Sequence, residues 1–339
     1  MPFGTPRSLL CCASPAQCFR AILKAIARVS GIVLKKISAR RVIITSFLVD
    51  LSDVVFNLGV AALTGSVVML AETMQGAADL LTSALLVVGL QRAGRRASKE
   101  YRFGHGRELF FWVLMGGVIM FILTATLSVW FGITRVWRPA PIEHVWLTFL
   151  ALAVGGATNV YALSLSLQRL KGAHVGPRSW HRFRHSSMVE TKTTLVLDLL
   201  GTTAAVFGFV ALGLYVLTGD SRFDGAGSVA IGLVTAVLSI MLISSVKDLL
   251  VGRSATSDIE DRIRQAALEV EGVKRVLDLR TMYLGSERLL VNLEVYMEGG
   301  LETRQIEGLI DEIKRRVKKR APIVHHIQVE LETPVIREP

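Results

Sequence analysis

Six apolar runs, at about 42–64, 66–90, 109–134, 145–168, 193–217 and 227–250, dominate this 339-residue chain. A helix needs roughly 17–25 apolar residues to cross a bilayer. Lipid offers backbone N–H and C=O groups no hydrogen bonds, so a crossing segment must satisfy them internally. The runs therefore predict an α-helical polytopic membrane protein with six transmembrane helices, and a hydrophobic content of 51% agrees with it rather than with a soluble enzyme.

Charge is placed unevenly along the chain. Residues 1–252 hold 24 Lys and Arg against 12 Asp and Glu, whereas residues 253–339 hold 15 against 16. A nucleic-acid binder would concentrate basic surface on a soluble domain, so no nucleic-acid partner is expected. The loops account for the excess: Arg92, Arg95, Arg96, Lys99, Arg102 and Arg107 separate the second and third runs, and Arg169, Lys171, Arg178, Arg182, Arg184 and Lys192 the fourth and fifth. The positive-inside rule then puts both termini in the cytoplasm or a topologically equivalent space.

The first 41 residues carry eight Lys and Arg and no acid. Phe19, Ile22, Ile26, Val29, Val33 and Ile37 recur near helical spacing, which predicts a basic amphipathic helix on the inner membrane surface. An acid-free, Arg-bearing start also fits an organellar transit peptide. Cys11, Cys12 and Cys18 are the only cysteines, so no disulfide framework holds the remainder.

Polar side chains interrupt three of the runs in register. At about 100° per residue, Glu72, Gln75 and Asp79 share one helical edge. Asp50, Asp53 and Asn57 form a second such edge, and Glu190, Thr194, Asp198 and Thr202 a third. An ionisable group at bilayer depth costs about 2.5–3.5 kcal/mol on insertion scales, so such edges face a bundle interior or a water-filled cavity. Two readings follow, an ion or proton path and a polar clamp between helices. His181 and His185, at i and i+4 in the basic loop with His174 nearby, could share one helical face for a metal, but no third ligand stands at fixed spacing.

Past Arg253 the pattern becomes that of a soluble unit: an amphipathic helix over Ser257–Glu271, strands over Val273–Leu284 and Glu287–Glu298, a helix over Glu302–Arg320 and a strand over His325–Glu332. This is an α-β-β-α-β order, the plan of a ferredoxin-like α+β domain. Lys314–Arg320 reads as a solvated helix end. The division is a basic extension at 1–41, a transmembrane domain at 42–252 and a cytosolic domain at 253–339. About 80 residues bury little core alone, so the tail is expected to dimerise. No Gly-x-Ser-x-Gly, His-Glu-x-x-His or phosphate-cradling glycine loop is present, and no enzyme is expected.

Leu63-Thr64-Gly65-Ser66, Leu70-Ala71-Glu72, Phe103-Gly104-His105-Gly106-Arg107-Glu108 and Asp278-Leu279-Arg280-Thr281, with the architecture above, resemble the cation diffusion facilitator family of divalent-metal/proton antiporters. Arg107–Trp112 and Pro139-Ala140-Pro141-Ile142-Glu143 look most like its bacterial and mitochondrial zinc-transporter-nine-like branch. The resemblance covers about residues 44–333 and implies a metal site with two ligands at i, i+4 from each of helices two and five. The matching positions are Gln75 with Asp79 and Thr194 with Asp198; Glu72, Asp53 and Glu190 are auxiliary candidates. Zinc members typically pair His with Asp at both places. Here both aspartates stand and both histidines are replaced by neutral oxygen donors, which suits manganese or ferrous iron better than zinc. The tail positions matched to the family's metal ligands carry Leu277, Asn292, Gln328 and Glu330, so the tail resembles a dimerisation unit without a strong zinc sensor.

The resemblance implies a homodimeric antiporter of the bacterial inner membrane or an internal membrane, exporting manganese, iron or zinc from the cytosol, or into a compartment, in exchange for protons. The metal is cargo and no cofactor is implied. The alternative is a non-transporting homologue that acts as a scaffold or heterodimer partner, as for magnetosome-associated members.

Overall fold

The computed structural model describes residues 39–172 and 189–333, with side chains described over 51–167 and 189–333. The N-terminal amphipathic segment with its three cysteines, and the loop histidines His174, His181 and His185, lie outside the described residues. Six long helices run through the first part: α1 (Ala39–Thr64), α2 (Val67–Ala93), α3 (Glu108–Trp137), α4 (Val145–Gly172), α5 (Val189–Thr218) and α6 (Arg222–Val251). Among the described residues, α2 to α6 are long and apolar enough to cross a membrane, and α1 contributes a shorter apolar stretch, Leu51–Thr64. The chain is a multi-pass membrane protein.

Several helices extend beyond the apolar runs. α5 is already helical at Val189, before the expected start near 193, and α6 at Arg222, before the expected start near 227. Backbone hydrogen bonding does not stop where hydropathy does, and long cationic side chains keep an apolar stem in the helix while their heads reach polar surroundings. α3 also contains a feature absent from the sequence reading: Met120–Thr126 is π-helical, between α-helical stretches Glu108–Ile119 and Leu127–Trp137.

Small residues set a close crossing of α3 and α6. A β-carbon at Gly132 of α3 would stand 2.7 Å from the Gly225 carbonyl oxygen, and one at Gly225 of α6 would stand 2.6 Å from that of Gly132. The two backbones therefore touch, as small residues permit at membrane helix interfaces.

The tail is a ferredoxin-like α+β unit: α7 (Ser257–Leu268), β1 (Val273–Gly285), β2 (Arg288–Met297), α8 (Thr303–Arg320) and β3 (Val324–Leu331). Its sheet runs β1-β2-β3, with β1 antiparallel and β3 parallel to β2. Strand alternation buries Leu289, Val291, Leu293, Val295 and Met297 in one apolar cluster with Ile263, Ala266 and Ala267 of α7 and Ile313 and Val317 of α8. Glu302 and Gln305 form a capping box at the start of α8. The basic end of α8 is solvated as its composition suggests, with Arg315, Lys318, Lys319 and Arg320 exposed, and two of its arginines also bond to Glu269. Arg316 donates to the Glu269 carbonyl oxygen at 2.6 Å, and Arg320 reaches the Glu269 carboxylate at 2.5 Å, tying α8 to the end of α7.

The tail packs on one end of the helix bundle. Leu109, Phe110 and Val113 of α3 and Val246 and Leu249 of α6 belong to the same buried cluster as Tyr283 and the sheet interior. Arg107 donates to the Leu250 carbonyl oxygen. The Ser286 hydroxyl, in the β1–β2 turn, donates to the Glu190 carboxylate at 2.7 Å. This contact requires glycine at Gly106, where a β-carbon would meet the Leu284 carbonyl oxygen at 2.5 Å. Forcing a side chain into such packing costs about 1–3 kcal/mol. Gly106→Val is therefore expected to lower the midpoint of thermal unfolding in detergent and to speed proteolysis between Gly252 and Thr256; an unchanged protein would contradict the close approach.

Candidate metal site

The stripe on α2 depends on how that helix begins. Gly65, at φ +66°, takes a left-handed conformation suited to glycine and ends α1. Ser66 is the N-cap of α2, its hydroxyl accepting from the Met69 N–H. Glu72, Gln75 and Asp79 then follow on one edge. Gln75 is only 2% exposed, and neither its Oε1 nor its Nε2 has a hydrogen-bond partner among the described residues. Glu72 Oε1 is likewise buried without a hydrogen bond. Leaving a buried polar group unsatisfied costs about 1–3 kcal/mol, and in a native structure such a group calls for a water or an ion.

On α5, the Thr194 hydroxyl donates to the Glu190 carbonyl oxygen at 2.9 Å. With its proton spent on the backbone, that oxygen has only lone pairs to offer another group, which suits a cation. The Asp198 carboxylate accepts from the Ser166 hydroxyl of α4, and its backbone carbonyl oxygen accepts from Thr202 at 2.8 Å. The two aspartate-bearing turns are brought to a common contact. Ala78, beside Asp79, lies in one apolar cluster with Met120 and Leu200, and Leu197, beside Asp198, packs against it.

The auxiliary candidates have other neighbours. Asp53 accepts from Asn57 at 3.3 Å within α1, and Glu190 faces Ser286 of the tail. Among the described residues no three of His, Cys, Asp and Glu are grouped to hold a metal. The donor set of the candidate site is thus two carboxylates with an amide and a hydroxyl, an oxygen environment of the kind that hard divalent ions take.

The π-helical segment of α3 lies against this region. Thr124, fully buried, donates to the Met74 carbonyl oxygen at 3.3 Å, and Thr82 of α2 donates to the Gly116 carbonyl oxygen at 3.4 Å. These long bonds bracket Gln75 and Asp79 and tie their turns to α3. Thr124-Ala125-Thr126 was the available sequence signal, but threonines in an apolar helix ordinarily bond within their own turn. Outside the membrane, His105 pairs with Glu108 at 2.7 Å and packs its ring, tilted, against that of Tyr101. His325 and His326 are exposed, with the His326 ring edge-on to Phe103. In the tail, the Leu279 N–H and then the Arg280 guanidinium hold Asp278 below the usual carboxylate range. A depressed carboxylate contributes stability above its unfolded pKa and loses it as pH falls through the folded one.

Residues 43–251 match the cation efflux transmembrane domain and residues 255–334 the cytoplasmic domain of cation efflux proteins. The mitochondrial proton-coupled zinc antiporter of Xenopus laevis is 26% identical over 283 residues, covering 81% of this chain and 51% of its own. A metal tolerance protein, C4, of Arabidopsis thaliana is 24% identical over 72% of this chain and 54% of its own. A probable cation efflux system protein of Mycobacterium tuberculosis is 25% identical over 78% of this chain and 74% of its own. The chain spans about half the length of the first two of these relatives.

The unsatisfied amide of Gln75 can be tested without metal. Replacing it by an apolar group of similar shape removes the desolvation penalty, so Gln75→Leu should stabilise the metal-free protein by about 1–2 kcal/mol. Thermal unfolding in chelator-treated detergent solution reads this as a higher midpoint; a lower one would mean that the amide is already satisfied.

Proposed function

The chain belongs to the cation efflux family, whose transmembrane model alone matches residues 43–251, and we propose that it carries a divalent transition-metal ion across a membrane in exchange for protons. The observation that carries this reading is the buried amide of Gln75, without a hydrogen bond among the described residues and one turn from Asp79, on a helix that meets the Asp198 turn of α5 in one cluster. Gln75, Asp79, Thr194 and Asp198 are the ligands in this reading. Metal and proton compete for the same carboxylate oxygens, so two aspartates supply both the charge that binds a divalent ion and the sites that take protons when it leaves. The Xenopus relative is a proton-coupled zinc antiporter by name, which supports the exchange. Gln75 and Thr194 in place of imidazoles shift the preference toward manganese or ferrous iron, with zinc bound more weakly.

The tail matches the family's cytoplasmic domain, and we assign it dimerisation of two copies of this chain, with both termini cytoplasmic. Truncation after Gly252 should lower the protein's mass in detergent toward that of a monomer, read by light scattering. A full-length protein that is monomeric over a wide concentration range would contradict the assignment.

Transport and ligand assignment are tested together by Gln75→His with Thr194→His. This variant restores two imidazoles at i, i+4 from the two aspartates. Its zinc affinity should rise about tenfold or more, the scale of about 1.4 kcal/mol or greater. In proteoliposomes with an imposed pH gradient, wild type should move manganese or ferrous iron, and the double variant zinc, with both activities lost on Asp198→Ala. If wild type moves no metal and the folded, dimeric double variant neither binds nor moves zinc, the scaffold reading replaces transport.

A further inference from the structure

At the end of the bundle opposite the tail, one carboxylate holds several helices together. Asp224, in the first turn of α6, is fully buried. Its Oδ1 accepts from the Ser66 hydroxyl at 2.6 Å and from the Val68 N–H at 3.2 Å, and its Oδ2 accepts from the Val67 N–H at 2.7 Å. Ser66 in turn takes the Met69 N–H, and its carbonyl oxygen takes that of Leu70. The first-turn N–H groups of α2, which no helix can satisfy internally, are thus closed by Ser66 and by a carboxylate from another helix. An anion there also meets the positive end of the helix dipole.

The network extends from that carboxylate. Arg135 of α3 places its Nε 3.6 Å from Asp224 Oδ2. The same guanidinium donates to the Ala140 carbonyl oxygen at 3.0 Å and to the Gly65 carbonyl oxygen. The α3–α4 loop is held to the turn between α1 and α2 by the Glu143 N–H on the Thr64 carbonyl oxygen at 2.9 Å. Its Ile142 N–H reaches Tyr215 of α5 at 3.1 Å. The ends of α1, α2, α3, α5 and α6 are therefore joined above the candidate site. Gln75 lies nine residues past Ser66, about 13 Å along the helix axis.

We propose that Asp224 is the latch that keeps this end of the protein closed over the metal site, and that α2 must leave Asp224 before cargo can pass out at that end. A cap needed only to start a helix is ordinarily local, and Ser66 already provides one. Asp224 adds a bond in trans, across 158 residues of sequence. α2 is continuous from Val67 to Ala93, so a movement that opens its first turns withdraws Val67 and Val68 from the carboxylate. The latch acts on the position of α2 and touches none of the four proposed ligands. Its role in releasing cargo rests on the transport reading above; the closure itself does not.

The test is thiol accessibility in the full chain, with Cys11, Cys12 and Cys18 replaced by serine. Ala71→Cys reports the interior between Asp224 and Gln75, and Leu249→Cys the packing near the tail; both positions are 1% exposed. In detergent, Asp224→Asn should speed maleimide labelling of Ala71→Cys about tenfold or more and leave that of Leu249→Cys within about twofold. Ser66→Ala, which removes one partner and keeps the charge, should give a smaller increase at Ala71→Cys. Equal rates at Ala71→Cys with and without Asp224→Asn overturn the latch. Equal acceleration at both cysteines in Asp224→Asn and in Ser66→Ala also overturns it, by showing general loosening. If wild type binds no metal the transport reading fails, and the labelling rates still decide whether the end is latched.

Discussion

A polar side chain carried into a bilayer has no water to bond, so it must find a protein partner or hold an ion. Most of the described bundle obeys this by pairing. Thr64, Thr73, Thr193 and Thr235 donate to carbonyl oxygens one turn back, Ser228 donates across to Ser128, and Asp224 is enclosed by three donors. Gln75 departs from it. Its amide is as buried as the surrounding aliphatic side chains and has no hydrogen bond on either atom among the described residues. Glu72 Oε1 on the same edge shares this condition, as do the buried hydroxyls of Thr148 and Ser239 elsewhere in the bundle, and the pairing of two such groups on one edge of α2 is what supports an ion there.

The architecture around the site divides into tight and adjustable contacts. α3 and α6 meet backbone to backbone at Gly132 and Gly225, leaving no room for even a methyl group. The ligand-bearing helices carry polar ties besides their apolar packing: α2 to Asp224 at one end and through threonine bonds to α3 at its middle, α5 to Ser166 and, through Glu190, to the tail. Polar ties can exchange partners at modest net cost, whereas backbone contact between glycines cannot slide without clash. The polar ties of the helices bearing the proposed ligands are thus attachments that can be remade.

Much of this was legible in the sequence because two periodicities carry it. Long apolar runs fixed the membrane helices, and strict alternation from Leu289 to Met297 fixed the central strand with its helical cover. Helix ends were less legible, since Glu190, Lys192 and Arg222 lie in helices beyond the apolar runs. The stripes gave Gln75, Asp79, Thr194 and Asp198 as candidates, but spacing within one helix says nothing about what stands opposite. So it could not show that Glu190 meets Ser286, or that Thr124 reaches Met74. Asp224 is illegible in the sequence for a similar reason. An acid in the first turn of a helix already has a local explanation in its own dipole, and its role for α2 exists only once the chain is folded.

The central claim is that α2 and α5 share one divalent-metal site built on Asp79 and Asp198. Equilibrium binding of manganese, ferrous iron and zinc to the purified full-length protein, compared with Asp79→Ala and Asp198→Ala, tests it most directly. The account predicts saturable binding in wild type that falls together in both variants, because each removes one of two charges from the same ion. Binding that is unchanged in both variants, or lost in only one, would contradict it.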